Sequence, residues 1–203
     1  GQGMKERSVI FTGDEVLATL EGRKTQFRRV VKPQHIPAAT RTLRWENQDA
    51  EELGLVATCP FGIPGDRMWV KETWAPIPSL KPSGYFTDPK WIHRTAWYRA
   101  DNDKPTWGGP WKPSIHMPRW ASRIDLEIVS VRVERVQDIS EADAEAEGLD
   151  WDRVDAGSLC VDGMPGHKVW FMDRWNRTCG DNAWSRNDWV WVVEYSMLKG
   201  GKQ

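Results

Sequence analysis

Ser8-Val9-Ile10-Phe11-Thr12-Gly13-Asp14-Glu15 runs into Val16-Leu17-Ala18-Thr19-Leu20-Glu21-Gly22 and then into Arg23-Lys24-Thr25-Gln26-Phe27-Arg28-Arg29. Three elements follow from this one stretch. Residues 8–11 are a short apolar run. Thr12 and Glu15 have capping-box spacing, in which the Thr hydroxyl accepts from the third backbone N–H and the Glu reaches back. The helix so started predicts Val16, Leu17 and Leu20 toward a core and stops at Gly22, a residue suited to the turn after a helix. From 24 to 31 the sequence is strand-like, ended by Lys32-Pro33.

Further along, residues 59–66 form a dense turn segment that launches 67–72 as a strand. Ile124, Leu126 and Ile128 alternate, then the phase flips to Val129, Val131 and Val133. A slip of one residue inside a strand predicts a bulge or bend. Ser140 and Asp143 start a short helix running to Gly148, with Ile139 placed to staple onto Ala144. A second helix is predicted over 168–177, ending near Gly180. Residues 189–195 are apolar on both faces and read as a central strand. No βαβ alternation appears. The order predicts an α+β fold, its strands curled into a small barrel with helices outside.

The chain has 203 residues. That suits one domain, 4–199, once Gly1-Gln2-Gly3 ahead of Met4 is set aside as a cloning remnant. Residues 33–58 read as irregular and polar. Residues 76–118 hold eight of the 13 prolines, with Trp91, Trp97, Trp107 and Trp111. The 76–114 part therefore reads as a long insertion packed by aromatic rings rather than by regular structure.

Composition narrows the function classes. Hydrophobic residues are 39% and charged residues 28%, the balance of a soluble globular protein. No apolar run approaches a membrane span and no signal-peptide pattern follows Met4, so a cytoplasmic protein with no membrane partner is expected. Three widely spaced cysteines, Cys59, Cys160 and Cys179, argue against a disulfide framework. Net charge is −1, which does not indicate a globally basic nucleic-acid binder. The local distribution is uneven: 23–32 holds Arg23, Lys24, Arg28, Arg29 and Lys32 with no acid, whereas 138–155 holds eight acids against the single Arg153. Tryptophan is in excess, 14 against five Phe and three Tyr. Most are expected in the core or the insertion, and a few would serve as stacking faces for a base. His35, His93, His116 and His167 lack metal-ligand spacing with one another or with the cysteines. No phosphate loop, dinucleotide fingerprint or nucleophile elbow is present. Neither a metal nor a cofactor is expected.

Two candidate sites remain. From Gly22 to Arg29, backbone N–H groups, the Thr25 hydroxyl and the forks of Arg23, Arg28 and Arg29 suit a phosphate or a planar electron-rich group. The same residues also fit a charged edge strand that resists sheet pairing. Arg119 and Trp120 together offer a phosphate contact and a stacking face, or else an anchor for the insertion beside a surface charge. Trp69 is a stacking face if it lies on the outer side of its strand, and a core residue otherwise.

The pattern Gly22-x-Lys24-x-x-Phe27-x-Arg29 resembles the glycine–lysine–arginine signature of ASCH domains, relatives of the PUA fold. Pro64-Gly65-Asp66 with 67–74, the stretch 115–123, Asp138-Ile139-Ser140-Glu141 and the closing 189–194 are similar to the larger ASCH-like proteins of phages and prophages. The likeness runs from about 10 to 194, with 76–114 and 150–165 poorly covered. It implies a small PUA-like barrel with a cleft, a nucleic acid or nucleobase as ligand, and the cytoplasm of a bacterial host. Some small members of the family are amidohydrolases acting on acetylcytidine through a Lys, a Thr and a Glu. The Lys position falls on Lys24, the Glu position on Glu147, and the Thr position on Phe27, where the hydroxyl is missing.

Three function classes follow. The first is a nucleic-acid or nucleobase-binding module using Gly22, Arg23, Lys24, Thr25, Phe27, Arg28, Arg29, Trp69, Arg119 and Trp120. The second is an amidohydrolase acting on an acylated nucleoside, with Lys24 and Glu147 as the catalytic pair. A Lys–Glu pair is equally a salt bridge that closes a cleft, because a carboxylate favours the charged ammonium. The third is a phage accessory protein that binds a host protein through the Trp-rich insertion.

Overall fold

A computed structural model describes residues 4–32, 43–44, 59–77, 96–102, 109–154 and 163–198. Among them the order is β1 (Glu6–Ile10), α1 (Gly13–Leu20), β2 (Gln26–Val30), β3 (Leu43–Arg44), β4 (Arg67–Lys71), β5 (Trp74–Pro76), β6 (Ala96–Tyr98), β7 (Asp125–Arg135), α2 (Glu141–Ala146), α3 (Gly166–Cys179) and β8 (Trp189–Met197). The main sheet runs β1-β4-β7-β8-β2, with β3 added on β7. β1 lies parallel to β4 and every other ladder is antiparallel. The fold is α+β around a mixed sheet.

The expected barrel is not closed by hydrogen bonds. β1 and β2 stand at opposite ends of the strand path, and no ladder joins them among the described residues. Their ends meet through side chains. Arg29 Nη2 donates to the Ile10 carbonyl at 2.9 Å, and the Phe11 and Phe27 rings pack edge to face at 5.8 Å. The Phe11 N–H already donates to the Lys71 carbonyl, so the end of β1 follows β4 rather than β2.

β8 is central, between β7 and β2, and its period-2 pattern feeds two cores. Trp191, Val193 and Tyr195 join Phe27, Val131 and Val133 on one face; Val190 and Val192 meet Ile139, Ala144, Phe171 and Trp175 on the other. Strands buried on both faces need apolar residues at successive positions, which β8 supplies. The phase flip in β7 is a register shift between Ile128 and Ser130 that turns Val129 outward, 55% exposed.

Three expectations change. First, α1 turns Val16 inward, but its other inward residues are Glu15, Ala18 and Thr19; Leu17 and Leu20 are exposed. The interior beneath α1 holds cations and a phenol, which need a carboxylate and a hydroxyl more than they need leucines. Second, the described part of the 76–114 insertion does contain regular structure: β6 pairs antiparallel with β5, and Trp97 within β6 is fully buried. Trp91 and Trp107 lie outside the described residues. Third, Leu43–Arg44 forms a short strand on β7 where only irregular chain was expected. The rest of 33–58 lies outside the described residues. Among the described residues, no helix is long and apolar enough to cross a membrane.

Candidate functional site

Two glycines shape the site. Gly22 has φ +74° and reverses the chain after α1, so that the Arg23 and Lys24 N–H groups both donate to the Ala18 carbonyl. This folds Lys24 back beneath the helix. Gly148, at φ +101°, ends the α2 turn against α1, where an added Cβ would stand 3.3 Å from the Ala18 Cβ. The two returns meet as an isolated bridge between Lys24 and Glu147, continued by Thr25 N–H donating to the Ala146 carbonyl at 2.8 Å.

Lys24 is 1% exposed and Glu147 3%. Lys24 Nζ donates to Glu147 Oε2 at 2.6 Å and to the Glu147 carbonyl at 3.2 Å. The other carboxylate oxygen, Oε1, accepts from Arg28 Nη1 at 3.1 Å. Each oxygen thus meets one buried cation and keeps further lone-pair capacity. Burial pushes the Lys24 amine below its usual range, against the pull of Glu147 and Glu15.

Glu15 does two tasks. Its Oε2 accepts from the Thr12 N–H at 2.8 Å and completes the capping box. Its Oε1 lies 3.8 Å from Lys24 Nζ, 3.6 Å from Arg29 Nη2 and 3.9 Å from Arg174 Nη2. Burial alone would raise the carboxyl; the Lys24 and Arg29 charges outweigh it and hold Glu15 below the ordinary range. Beside it, Thr19 Oγ1 and the Tyr195 hydroxyl are 3.0 Å apart, and burial pushes that phenol well above its usual range.

A cleft of about 270 Å³ opens onto this cluster between α1, the end of α2 and α3. Glu147 and Gly148 reach it from below, Trp170 and Arg174 from α3, and Arg23 and Leu17 from the α1 side. Asp14, Glu21 and Asp150 also line it, so acids outnumber cations. Arg23 is itself engaged, bonded to Glu21 and to the Gly148 carbonyl. With more acids than cations in its lining, the cleft disfavours an anion.

The other sequence candidates separate. Phe27 is fully buried among Phe11, Phe61 and Tyr195, leaving no ring face for a ligand. Arg28 is likewise enclosed: Glu134, Gln26 and Glu147 take its donors. Arg29 donates to two backbone carbonyls and lies over the Phe27 ring. Thr25 points outward, opposite Lys24, and Gly22 is exposed. Trp69 is half-buried on the outer face of β4, with Lys71 Nζ and the Arg119 guanidinium at 5.2 and 5.7 Å from its ring. Arg119 pairs with Glu6 and Asp125, while Trp120 is 56% exposed and meets Trp74 edge to face. Lys24 and Glu147 are therefore brought together, and Trp69, Arg119 and Trp120 form a separate group on another face.

Sequence reasoning did not name Glu15, Trp170 or Arg174 for the site. The first was visible only as a cap. The other two lie one turn apart on α3 (i, i+4), a spacing that places them on one face of that helix. Among the described residues, no cluster of His, Cys, Asp and Glu could hold a metal ion. Compared with protein-family models, curated proteins and solved structures, the chain matches none.

Proposed function

We propose that this protein binds a nucleobase or nucleoside in the Glu147 cleft, drawn from RNA or from a modified nucleoside, in the manner of an ASCH-like, PUA-type domain. The observation that carries the reading is Glu147, which lines a cleft walled by Trp170 and whose buried carboxylate is held by Lys24 Nζ at 2.6 Å and Arg28 Nη1 at 3.1 Å. A carboxylate fixed from behind is an oriented acceptor for an exocyclic amino group, and an indole beside it is a stacking face. The acidic rim explains why the base rather than a phosphate would enter. The curled sheet whose end strands meet through Arg29 and Phe11 is compatible with an opened PUA-like barrel.

Cytidine titrated into the protein should quench tryptophan emission saturably, and Trp170→Phe should remove most of the quench. Glu147→Gln should weaken binding at least tenfold. Absence of a saturable response to cytidine and adenosine contradicts the reading.

One observation favours a second reading, an amidohydrolase acting on an acylated nucleoside. Burial lowers the Lys24 pKa while a carboxylate stands 2.6 Å away, a pairing able to hold and return a proton. Against it, Lys24 Nζ is enclosed behind Glu147, and Phe27 supplies no hydroxyl. Release of cytidine from acetylcytidine, lost in Lys24→Ala, would decide for this chemistry.

A further inference from the structure

β1 ends the strand path, so one of its edges carries no ladder among the described residues. On its other edge, toward β4, the Arg67 N–H donates to the Lys5 carbonyl and the Phe11 N–H to the Lys71 carbonyl. These two bonds fix the phase of the parallel ladder. Odd-numbered residues of β1 bond to β4, and the backbone groups of Glu6, Ser8 and Ile10 face away from it. Of these, the Ile10 carbonyl accepts from Arg29 Nη2 at 2.9 Å, across the gap to β2. The Ser8 N–H and carbonyl and the Ile10 N–H have no hydrogen-bond partner among the described residues.

A single cavity of about 340 Å³ lies beside this edge, lined by Ser8 and Ile10 from β1, Arg29 from β2, Lys71 from the end of β4, and Phe61 and Ile115. No acidic side chain lines it among the described residues. Phe61 and the exposed Ile10 and Ile115 make its walls largely apolar. Both cations stand at the Ile10 end. Arg29 holds the Ile10 carbonyl, and Lys71 is the register partner of Ile10. Arg29 shares its charge with Glu15 at 3.6 Å. Lys71 Nζ donates to the Ile115 carbonyl at 3.2 Å and meets no carboxylate among the described residues.

Three features select the ligand. The edge offers both N–H donors and a carbonyl acceptor, which a peptide backbone satisfies and a simple anion does not. The cationic end suits a carboxylate. The apolar walls suit an aliphatic side chain. Because Arg29 already occupies the Ile10 carbonyl, a ladder built on this edge stops there, beside Lys71. We infer that the C-terminus of a partner protein, extended and ending in an aliphatic residue, adds to β1 as a parallel strand. Its terminal carboxylate meets Lys71 and its last side chain packs against Phe61 and Ile115. The site shares no lining residue with the Glu147 cleft, so this inference and the nucleobase reading stand or fall separately.

The test titrates the full chain into fluorescein-labelled Ser-Val-Thr-Val-Thr-Val, a peptide with valine at alternate positions and a free C-terminal carboxylate, read by anisotropy. Binding should saturate, and the same peptide ending in an amide should bind at least tenfold more weakly, a comparison that needs no variant. Lys71→Ala should weaken the acid form about tenfold and leave the amide form unchanged. Ser8→Pro removes an N–H that faces away from β4, so it should abolish peptide binding while the near-UV spectrum stays like that of the parent. Excess hexanoate should not displace the peptide. A peptide that does not bind, acid and amide forms of equal affinity, or a folded Ser8→Pro variant of parental affinity overturns the inference. So does displacement by hexanoate, which would mark a site for simple anions. A dimer of the unliganded chain that Ser8→Pro dissociates, seen by sedimentation, would give the edge to a second copy and overturn it as well.

Discussion

On the α2 side of α1, Arg23, Lys24 and Arg28 all meet carboxylates from distant parts of the chain; on the β4–β6 side Arg123 meets Glu72 and Asp101, whereas Arg99 and Lys71 meet no carboxylate among the described residues. The first group is tightly spaced in sequence, the second scattered. The contrast teaches that charge density along a chain is a poor guide to charge available to a ligand. The acidic 138–155 stretch folds onto the basic 23–32 stretch and neutralises it: Asp143 and Glu147 are both engaged there. Buried ion pairs of this kind hold a geometry.

Removing one partner from the locked side is the strongest way to break the comparison. Glu147→Ala leaves Lys24 and Arg28 buried without their shared carboxylate and should cost about 3–5 kcal/mol in denaturant unfolding. Arg99→Ala should leave the unfolding midpoint where it is. An equal response from the two would erase the distinction between the sides.

Phe27→Ala should have an effect of similar size, about 3–5 kcal/mol, because its ring is enclosed by three other aromatic rings. Trp120→Ala, at an exposed ring, should barely move stability. A Phe27 variant that unfolds like the parent would return that ring to the list of ligand contacts.

The acid limb sharpens the picture through Asp143. Burial raises its carboxyl, and the Arg28 and Arg132 charges outweigh this and hold it at about 2 against an ordinary 3.8. A depressed acid contributes its stability above the unfolded value. That contribution is complete above roughly pH 5 and is lost as the pH falls through about 2, a change on the order of 2 kcal/mol. Asp143→Asn should flatten the acid limb of the stability–pH profile, and an unchanged limb would remove Asp143 from the lock.

Thr12→Ala gives the smallest expected effect, about 1 kcal/mol, through loss of half the capping box. It should also loosen the start of α1, where Asp14 lines both the Glu147 cleft and the neighbouring cavity. Amide exchange over residues 13–17 should quicken relative to α3.

Much of the fold was legible because its signals are local. The capping spacing of Thr12 and Glu15, the stop at Gly22, the phase flip at Val129 and the two-faced apolar run of β8 each correspond to an observed feature. The juxtaposition of Lys24 with Glu147 is not local, and only the family resemblance put those two positions together. The inward turn of Glu15 and Thr19 was hidden, since hydropathy alone favours Leu17 and Leu20 on the core side. The short β3 and the β5–β6 pair escaped because two or three residues carry too little periodicity to read. The availability of Arg99 and Lys71 depends on which acids fold near them, and no spacing rule reports that.

The central claim is that the carboxylate anchored by Lys24 and Arg28 faces a cleft that takes a base. It is tested most directly by titrating cytidine into isotopically labelled protein and following amide and indole resonances. The account predicts saturable shifts at the Gly148 amide and the Trp170 indole, with none at the Trp120 indole. Shifts confined to Trp120 and its neighbours, with Gly148 and Trp170 unmoved at saturating cytidine, would contradict it.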